Sequence, residues 1–325
     1  MMDLFDEHTV VPYLAGRLGI APATAVVTPL GGGVSNVVLA VDDGTRSVVV
    51  KQALPRLRVA DEWTAPPQRA ESEAWALGLA GRLVPGSVPD VLDSDADRHV
   101  VVIARAPATW TDWKARLLRG ETDPAVAAGL GDTVGRWHRA TLGGAGVPPE
   151  MRAAAAFEQL RVAPYYRTAA ARLPAHAGAL LAHAAALTAP PRVTLVHGDL
   201  SPKNVLVGDG HPLVIDFEVA HLGDPVFDLA FLLSHLTLKA VHGPEWTAGY
   251  RACAVAFAGA YAAAAGADLA PDWPTVHGHV GCLLLARVHG KSPAEYLTPE
   301  QRVAAAARGA ALLHEPPTTV DGLFR

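Results

Sequence analysis

Three polar clusters stand among short apolar runs in the segment 196–230: His197-Gly198-Asp199 with Asn204, Asp216 with Glu218, and Gly223-Asp224 with Asp228. Asp199 lies five residues ahead of Asn204, and Asp216 and Glu218 follow after the apolar runs. Carboxylate and carboxamide oxygens are the hard ligands that Mg²⁺ prefers, and a positioned carboxylate can take the proton of a hydroxyl group. The segment therefore indicates a site that binds a metal ion and activates a hydroxyl.

The apolar runs of this segment predict how the polar side chains meet. Residues 205–207 and 213–215 are typical of short buried strands, and a glycine-rich turn joins them. The turn brings Asn204 back towards Asp216. Their oxygen atoms can then converge with the carboxylate of Asp199 at the ends of the strands.

This combination suits phosphoryl transfer, in which a protein places a hydroxyl, holds Mg²⁺ and neutralises phosphate charge. The step from Asp199 to Asn204 has the spacing of the kinase catalytic loop, where the Asp accepts the hydroxyl proton and the Asn binds metal. We therefore expect Asp199 to be the catalytic residue. The expected metal ligands are Asn204, Asp216 and Glu218, the last either a direct ligand or a neighbour of one.

Three motifs together resemble the aminoglycoside-phosphotransferase and choline-kinase-like family of small-molecule kinases. They are HGDLSPKN (197–204), IDFE (215–218) and GDPVFDLA (223–230), in that order. The resemblance implies a two-lobe, protein-kinase-like α+β fold that uses ATP. A small β-rich, nucleotide-binding lobe would cover residues 1–104. A larger, mostly helical lobe for catalysis and acceptor binding would cover residues 105–325.

Signals for helix starts stand in the predicted helical lobe. Asp123 is a predicted cap, and Thr298 with Gln301 has the pattern of a capping box. Another predicted helix carries Asp228 near its start, where a carboxylate favours the helix dipole. By the resemblance, Asp228 also accepts hydrogen bonds from the catalytic loop. The tail after His314 is predicted to be irregular.

A glycine-rich hairpin near the N-terminus is a second candidate site. It joins two predicted strands, at 25–30 and 37–42. Backbone that lacks side chains can approach phosphates closely and present N–H groups to them. The residues expected to contact a nucleotide there are Gly31, Gly32, Gly33, Val34 and Ser35.

Lys51 ends the next predicted strand, at 47–51. In the kinase pattern, a lysine in this place pairs with the α- and β-phosphates of ATP and with a glutamate of the following helix. The predicted helix at 68–83 offers Glu71 and Glu73. We favour Glu73, because its place in the helix matches the family pattern, and interpret Glu71 as a solvated charge.

The segment Lys51-Gln52-Ala53-Leu54-Pro55, with Trp63 after it, narrows the resemblance. It is similar to the corresponding part of 5-methylthioribose kinases. The catalytic region departs from those kinases, which have Asp-Pro-Glu where this chain has Asp216-Phe217-Glu218. The resemblance therefore implies a shared fold and nucleotide site, but it does not identify the acceptor.

Length and composition limit the possible protein class, partners and location. The 325 residues are 50% hydrophobic and carry a formal net charge of −5, which favours a helix-rich protein large enough for two lobes. No long basic run is present, so nucleic acid and anionic membranes are not expected partners. The start of the chain lacks the features of a secretory leader, and its apolar stretches are short. The cytoplasm is therefore the expected location.

Cysteine and histidine usage points to structural roles. Cys253 and Cys282 lie in apolar, helix-like stretches and are predicted to be buried thiols. His277 and His279 are two positions apart, which on a helix directs them to different faces, so a zinc site is not expected there. The oligomeric state stays unknown.

The favoured function is ATP-dependent phosphorylation of a hydroxyl on a sugar-like small molecule. The short loop at 217–223 leaves no room for a protein-kinase activation segment, so a protein substrate is not expected. The alternatives are an aminoglycoside phosphotransferase, which would confer antibiotic resistance, and a pseudokinase that binds nucleotide without catalysis. The complete set of Lys51, Asp199, Asn204 and Asp216 argues against the pseudokinase.

The charge of the variable helical region bears on the acceptor. Residues 149–189 contain more arginines than acidic residues, whereas a polycationic aminoglycoside needs a cluster of carboxylates. A neutral or anionic acceptor fits this balance better. The role of Arg287 and Lys291 stays open between contact with substrate or phosphate and surface packing.

Overall fold

The computed structural model describes residues 4–31, 35–58, 64–152, 154–190, 193–209 and 211–325. Its N-terminal part is a five-stranded sheet with the strand order β1-β2-β3-β5-β4, in which all neighbours are antiparallel. Two helices flank this sheet. The elements are α1 (Val10–Leu18), β1 (Val26–Pro29), β2 (Asn36–Asp42), β3 (Ser47–Ala53), α2 (Arg69–Leu83), β4 (Val91–Asp95) and β5 (Val100–Ala104).

The two faces of the sheet pack against different helices. Side chains alternate between the faces along each strand, so Val50 points into a core shared with Leu14 of α1. On the other face, Val101 joins a core that contains Leu77 of α2. Lys51 follows Val50 and lies opposite Val101 in the β3–β5 register. The alternation therefore turns the side chain of Lys51 towards α2.

The rest of the chain is mostly helical and contains two small antiparallel sheets, one of order β10-β7 and one of order β6-β8-β9. The short β8–β9 pair forms the two strands predicted after the catalytic loop. The elements are β6 (Thr111–Asp112), α3 (Trp113–Leu118), α4 (Pro124–Ala140), α5 (Ala155–Phe157), a π-helical stretch (Glu158–Arg167), α6 (Thr168–Arg172), α7 (Ala177–Thr188), β7 (Thr194–Val196), β8 (Val205–Val207), β9 (Leu213–Val214), β10 (His221–Gly223), α8 (Val226–His242), α9 (Thr247–Ala265), α10 (Trp273–His289), α11 (Pro299–His314) and a 3₁₀ helix (Val320–Phe324).

The predicted helix caps are confirmed. The side chain of Asp123 caps α4, and Thr298 with Gln301 forms a complete capping box at α11. The prediction of an irregular tail is wrong at its end. Val320–Phe324 is a 3₁₀ helix, and Leu323 within it is fully buried, so apolar packing orders the last turn of the chain.

Helices α4 and α9 approach each other closely through small residues. A Cβ added at Gly131 would lie 2.3 Å from the carbonyl oxygen of Phe257, which leaves no room for a methyl group. On the same helix, the indole N–H of Trp137 donates to the carbonyl of Ala80 in α2 at 3.1 Å. The packed α4–α9 pair therefore also supports the helix that lies on the sheet.

Several features with possible functional meaning are structural. Cys253 and Cys282 are buried free thiols, as predicted. Nδ1 of His277 donates to the carbonyl of Pro317 at 2.7 Å, whereas His279 lies 3.0 Å from the hydroxyl of Tyr166. Within the described ranges, no helix is long and apolar enough to cross a membrane.

The variant Gly131→Ala is expected to lower the free energy of unfolding by about 1–3 kcal/mol, because the added methyl group overpacks the α4–α9 contact. The matched control is Gly259→Ala in α9, where nothing lies within 4 Å of an added Cβ. That control should raise stability by about 0.5–1 kcal/mol, because alanine favours helix. Urea unfolding measures both. Two variants of equal stability would contradict the close α4–α9 contact.

Candidate active site

Asp199 lies in the loop between β7 and β8, and its side chain is buried. The preceding Gly198 has a φ of 76°, in the left-handed region. A Cβ added there would also lie 2.7 Å from the carbonyl oxygen of Val219. Glycine alone meets both conditions without strain. Gly198 therefore allows the sharp turn that directs Asp199 into the site.

Asp228, near the start of α8, holds this loop in place. Its two carboxylate oxygens accept the backbone N–H groups of His197 at 2.7 Å and Gly198 at 2.9 Å. The buried ring of His138 lies 3.3 Å from the same carboxylate and 3.1 Å from the hydroxyl of Tyr261. These contacts confirm the supporting role implied for Asp228 and make His138 part of the same support.

The carboxylate of Asp199 is surrounded by donors. Its Oδ2 accepts from Nδ2 of Asn204 at 2.8 Å, and it lies 2.8 Å from Nη2 of Arg161 and 3.1 Å from Nζ of Lys203. Burial alone would raise the pKa of Asp199, but the charges of Arg161 and Lys203 outweigh it and hold the pKa below its ordinary value. Asp199 is therefore ionised at neutral pH.

Arg161 is a site residue that sequence reasoning missed. It belongs to the π-helical stretch, and its Nε also donates to the carbonyl of Gly198 at 2.9 Å. Stretches of π-helix are rare in proteins, and those that occur often lie at functional sites. Pro164 within the stretch lacks an N–H and signals an irregular helix, but nothing near it in sequence points to the catalytic loop.

Lys51 connects the sheet to the catalytic region. Its Nζ lies 2.5 Å from Oε1 of Glu73 on α2 and 2.5 Å from Oδ1 of Asp216 after β9. Burial would lower the pKa of Lys51, but the two carboxylates outweigh it and raise the pKa above its ordinary value. Of the two glutamates considered, Glu73 forms the ion pair, and Glu71 instead lies 3.3 Å from the ring of His99.

Asp216 has a φ of 72°, a conformation that costs a residue with a side chain on the order of 1–3 kcal/mol, although Asp tolerates it better than most. The N–H of Ile215 donates to the carbonyl of Asn204 at 2.9 Å, which places Asp216 beside the catalytic loop, as the predicted turn requires. Such a conformation persists only where the surroundings hold it. The ion pair with Lys51 is one contact that does so.

Glu218 joins a different group of side chains. Its Oε1 accepts from the hydroxyl of Ser35 at 2.8 Å, and its Oε2 accepts from the amide of Asn36 at 2.9 Å and from Nε of Arg69 at 3.1 Å. The side chain of Arg69 is 0% exposed. We call these four residues the interlobe cluster. Both oxygens of Glu218 are thus engaged by the sheet-bearing lobe, which favours a role in joining the lobes over metal ligation.

The candidate nucleotide loop lies mostly outside the described residues. This applies to Gly32, Gly33 and Val34, and also to Trp63. Gly31 is described and is exposed, and no atom of the described residues lies within 4 Å of the position of an added Cβ. The hydroxyl of Ser35 already donates a hydrogen bond to Glu218. We therefore expect Ser35 to contact a phosphate through its backbone rather than through its side chain.

Comparison with known proteins places these motifs in one family. The family model described as "Phosphotransferase enzyme family" matches residues 26–279, which confirms the resemblance found in the motifs. A methylthioribose kinase from Bacillus cereus (strain G9842) is 34% identical over 112 residues, 34% of this chain and 28% of that protein. The chain thus matches little more than a quarter of the length of this curated relative.

Solved structures share the fold over nearly the whole chain. A choline/ethanolamine kinase family protein from Mesorhizobium loti has a TM-score of 0.57 and 18% identity, covering 97% of this chain and 98% of that one. An aminoglycoside phosphotransferase from Alicyclobacillus acidocaldarius has a TM-score of 0.53 and 14% identity, covering 99% and 96%. These likenesses confirm the predicted two-lobe α+β, kinase-like fold.

The variant Glu218→Gln is expected to lower the free energy of unfolding by about 3 kcal/mol, because the buried Arg69 loses its charged partner. Glu71→Gln is the matched control on the surface and should change stability by less than about 0.5 kcal/mol. Denaturant unfolding of both variants checks the prediction. If Glu218→Gln were as stable as the control, the interlobe cluster would not hold the lobes together.

Proposed function

Because the chain belongs to the phosphotransferase enzyme family, we propose that it transfers the γ-phosphoryl group of ATP to a hydroxyl of a small molecule. One observation carries the proposal. Lys51 lies 2.5 Å from Asp216, and Asp216 stands beside the loop in which Asn204 binds the ionised Asp199. A phosphate-binding cation, metal-binding oxygens and a hydroxyl-orienting carboxylate are thus neighbours, as in-line phosphoryl transfer requires.

Asp199 is the group that acts on the acceptor hydroxyl. The acceptor oxygen bonds to the γ-phosphorus, the bond from that phosphorus to the leaving oxygen of ADP breaks, and the hydroxyl proton passes to Asp199. Arg161 and Lys203 keep the carboxylate charged, and the hydrogen bond from Asn204 fixes its orientation. Asp228 keeps the loop itself in place.

The residues present fit a magnesium ion that arrives with the nucleotide. Within the described part of the chain, no three His, Cys, Asp or Glu side chains converge to hold an ion by themselves. Mg²⁺ commonly takes few protein ligands together with waters and phosphates, so Asn204 and Asp216 suffice. When bound, the ion neutralises charge on the phosphates. Lys51 and the backbone from Gly31 to Ser35 would hold the phosphates themselves.

We propose that the two lobes cover residues 1–104 and 105–325, because β5 ends at Ala104.

A small-molecule acceptor is supported by the short connection after Phe217. Strand β10 begins four residues later and pairs with β7, which leaves little chain for an activation segment. The methylthioribose kinase and choline/ethanolamine kinase relatives point to the same class of acceptor. The cytoplasm is the proposed compartment.

The variant Asp199→Asn should fold and bind nucleotide but lose about 10²–10⁴ in turnover, because a positioned base contributes on that order. The matched control is Asp209→Asn in the adjacent exposed turn, which should keep full activity. ADP release in the presence of a panel of sugars, amino alcohols and hydroxy acids measures turnover, and calorimetry measures nucleotide binding. Near-normal turnover in Asp199→Asn would remove this residue from the mechanism.

The variant Asp216→Ala should abolish the dependence of ATP binding on Mg²⁺, since Asp216 is the proposed ligand between metal and phosphates. Glu218→Gln should keep that dependence, because both oxygens of Glu218 contact the other lobe. Titration of Mg²⁺ at fixed ATP distinguishes the two. Equal losses in both variants would make Glu218 a direct ligand, and an unchanged Asp216→Ala would refute the metal assignment.

A further inference from the structure

The helical lobe holds positive side chains that the proposed transfer does not use. We call Lys114 of α3, Lys239 of α8 and Arg287 of α10 the cationic cluster. Lys239 is fully buried, and among the described residues its Nζ has no hydrogen-bond partner. Nε of Arg287 is likewise buried without a partner. Three elements of the fold thus direct positive charge towards one place.

A buried ammonium group without an anion is costly, and proteins rarely keep one unless it has a function. Burial lowers the pKa of Lys239 to about 7, and repulsion from Lys114 and Arg287 adds to the effect. The charges of Glu295 and Asp112 and the face of Tyr296, whose ring centre lies 5.5 Å from Nζ, compensate only in part. A leucine or methionine would fill the same helix position at lower cost, so the lysine indicates a ligand.

The cationic cluster lies beside the proposed catalytic loop. Tyr165, four residues after Arg161 in the π-helical stretch, connects them, because its hydroxyl is hydrogen-bonded with Ser292, whose carbonyl accepts from Nη1 of Arg287 at 2.7 Å. Burial would raise the pKa of that hydroxyl, but the charges of Arg287 and Arg161 lower it. Arg161 in turn binds Asp199. A ligand held by Arg287 would therefore lie near the carboxylate that receives the acceptor hydroxyl.

A second line of contacts runs from the catalytic loop along α8. The guanidinium carbon of Arg161 lies 5.8 Å from the ring centre of Phe231, whose ring is 5.2 Å from that of His235. The charges of Lys239, Arg287, Lys203 and Lys114 all act on His235, whose pKa burial already lowers. Lys239 lies about one helical turn after His235 on α8, so these contacts lead from the catalytic loop to the cationic cluster.

One carboxylate already lies at this place. Glu295 contacts Nζ of Lys114 through one oxygen, and its other oxygen lies 3.9 Å from Nη2 of Arg287. Its side chain is 63% exposed, so it approaches the cluster from the solvent side. The geometry between Lys114 and Arg287 thus accommodates a carboxylate, and an exposed side chain is one that a ligand can displace. Among the described residues, Nζ of Lys239 has no hydrogen-bond partner.

We propose that the acceptor carries a carboxylate besides its reacting hydroxyl, and that the cationic cluster binds this carboxylate. The inference rests on the proposed function and specifies its substrate class, a hydroxycarboxylic acid such as a sugar acid. A polycationic acceptor would be repelled by the same charges. A neutral sugar would leave Lys239 unpartnered.

The test compares acids with their neutral counterparts. Gluconate is paired with glucose and glycerate with glycerol, while ribose 5-phosphate and kanamycin represent phosphate and polycation. Thermal shift measures binding, and ADP release at matched ionic strength measures turnover. We expect at least one acid to stabilise the protein and to exceed its neutral counterpart tenfold or more in kcat/KM. Preference for the neutral compounds, for kanamycin or for the sugar phosphate, or no binding of any acid, would overturn the inference.

The two proposals fail in different ways. Binding of an acid without ADP release would reject the phosphoryl transfer and keep the carboxylate site. ADP release with neutral compounds alone would keep the transfer and reject the carboxylate site.

Variants of the cluster decide whether these residues are responsible. Lys239→Met should raise the KM of the acid about 30-fold or more, the effect of losing a buried charged partner, and leave the KM of ATP unchanged. It should also raise the melting temperature of the unliganded protein, because an unpartnered buried charge is removed. A purely structural lysine would lower that temperature instead.

A second cluster variant and a control variant test whether this result is specific to the cationic cluster. Lys114→Gln changes a partly exposed residue and keeps the test valid if Lys239→Met does not fold; it too should raise the KM of the acid. Arg136→Met removes a positive charge at an exposed position of α4 and is the control that should change neither constant. An unchanged KM in the foldable cluster variants would overturn the assignment of the carboxylate to the cationic cluster.

Discussion

The structure depends on the placement of one buried lysine between two carboxylates. Lys51 comes from the sheet, Glu73 from α2 and Asp216 from the turn after β9, so the three charges can meet only when all three elements are in position. A buried ion pair that loses one partner is strongly destabilising. The contact therefore links the assembly of the two lobes to the assembly of the proposed phosphate site.

The same principle governs the rest of the site, in which buried charges are held by partners from distant parts of the chain. Asp228 is fixed by backbone N–H groups of the catalytic loop and by His138, and Glu218 by the interlobe cluster. In each case burial makes the charged carboxylate costly, and hydrogen bonds from several donors offset that cost. Lys239 is the exception, because its partner is not among the described side chains.

Local sequence patterns predict part of the site, but they do not predict the contacts that depend on tertiary packing. Strand alternation and the position of Lys51 after Val50 place its charge on the α2 face. Glu71 and Glu73 lie about 200° apart around a helix, so only one of them can face that lysine, and tertiary packing decides which. The spacing from Asp199 to Asn204 predicts that the two side chains lie close together, and in the structure the amide of Asn204 donates to Asp199 at 2.8 Å.

The residues missed are those whose partners lie far away in sequence. Arg161 reaches Asp199 from a π-helical stretch, and Arg69 reaches Glu218 across the interface of the lobes. Neither pairing leaves a periodic or local signal, since each depends on how helices pack rather than on how they form. The sequence leaves Glu218 open between a direct metal ligand and a neighbour of one, and its observed contacts are with residues of the opposite lobe.

We propose that these buried charges serve the transfer of a phosphoryl group to a small hydroxy compound. The test follows ATP radiolabelled at its γ-phosphate, incubated with the protein, Mg²⁺ and a mixture of small hydroxy compounds, with Asp199→Asn as the blank. We expect the label to move into an organic phosphate in the wild type and not in the variant. Label that stays in ATP, or that appears only as inorganic phosphate, would contradict it.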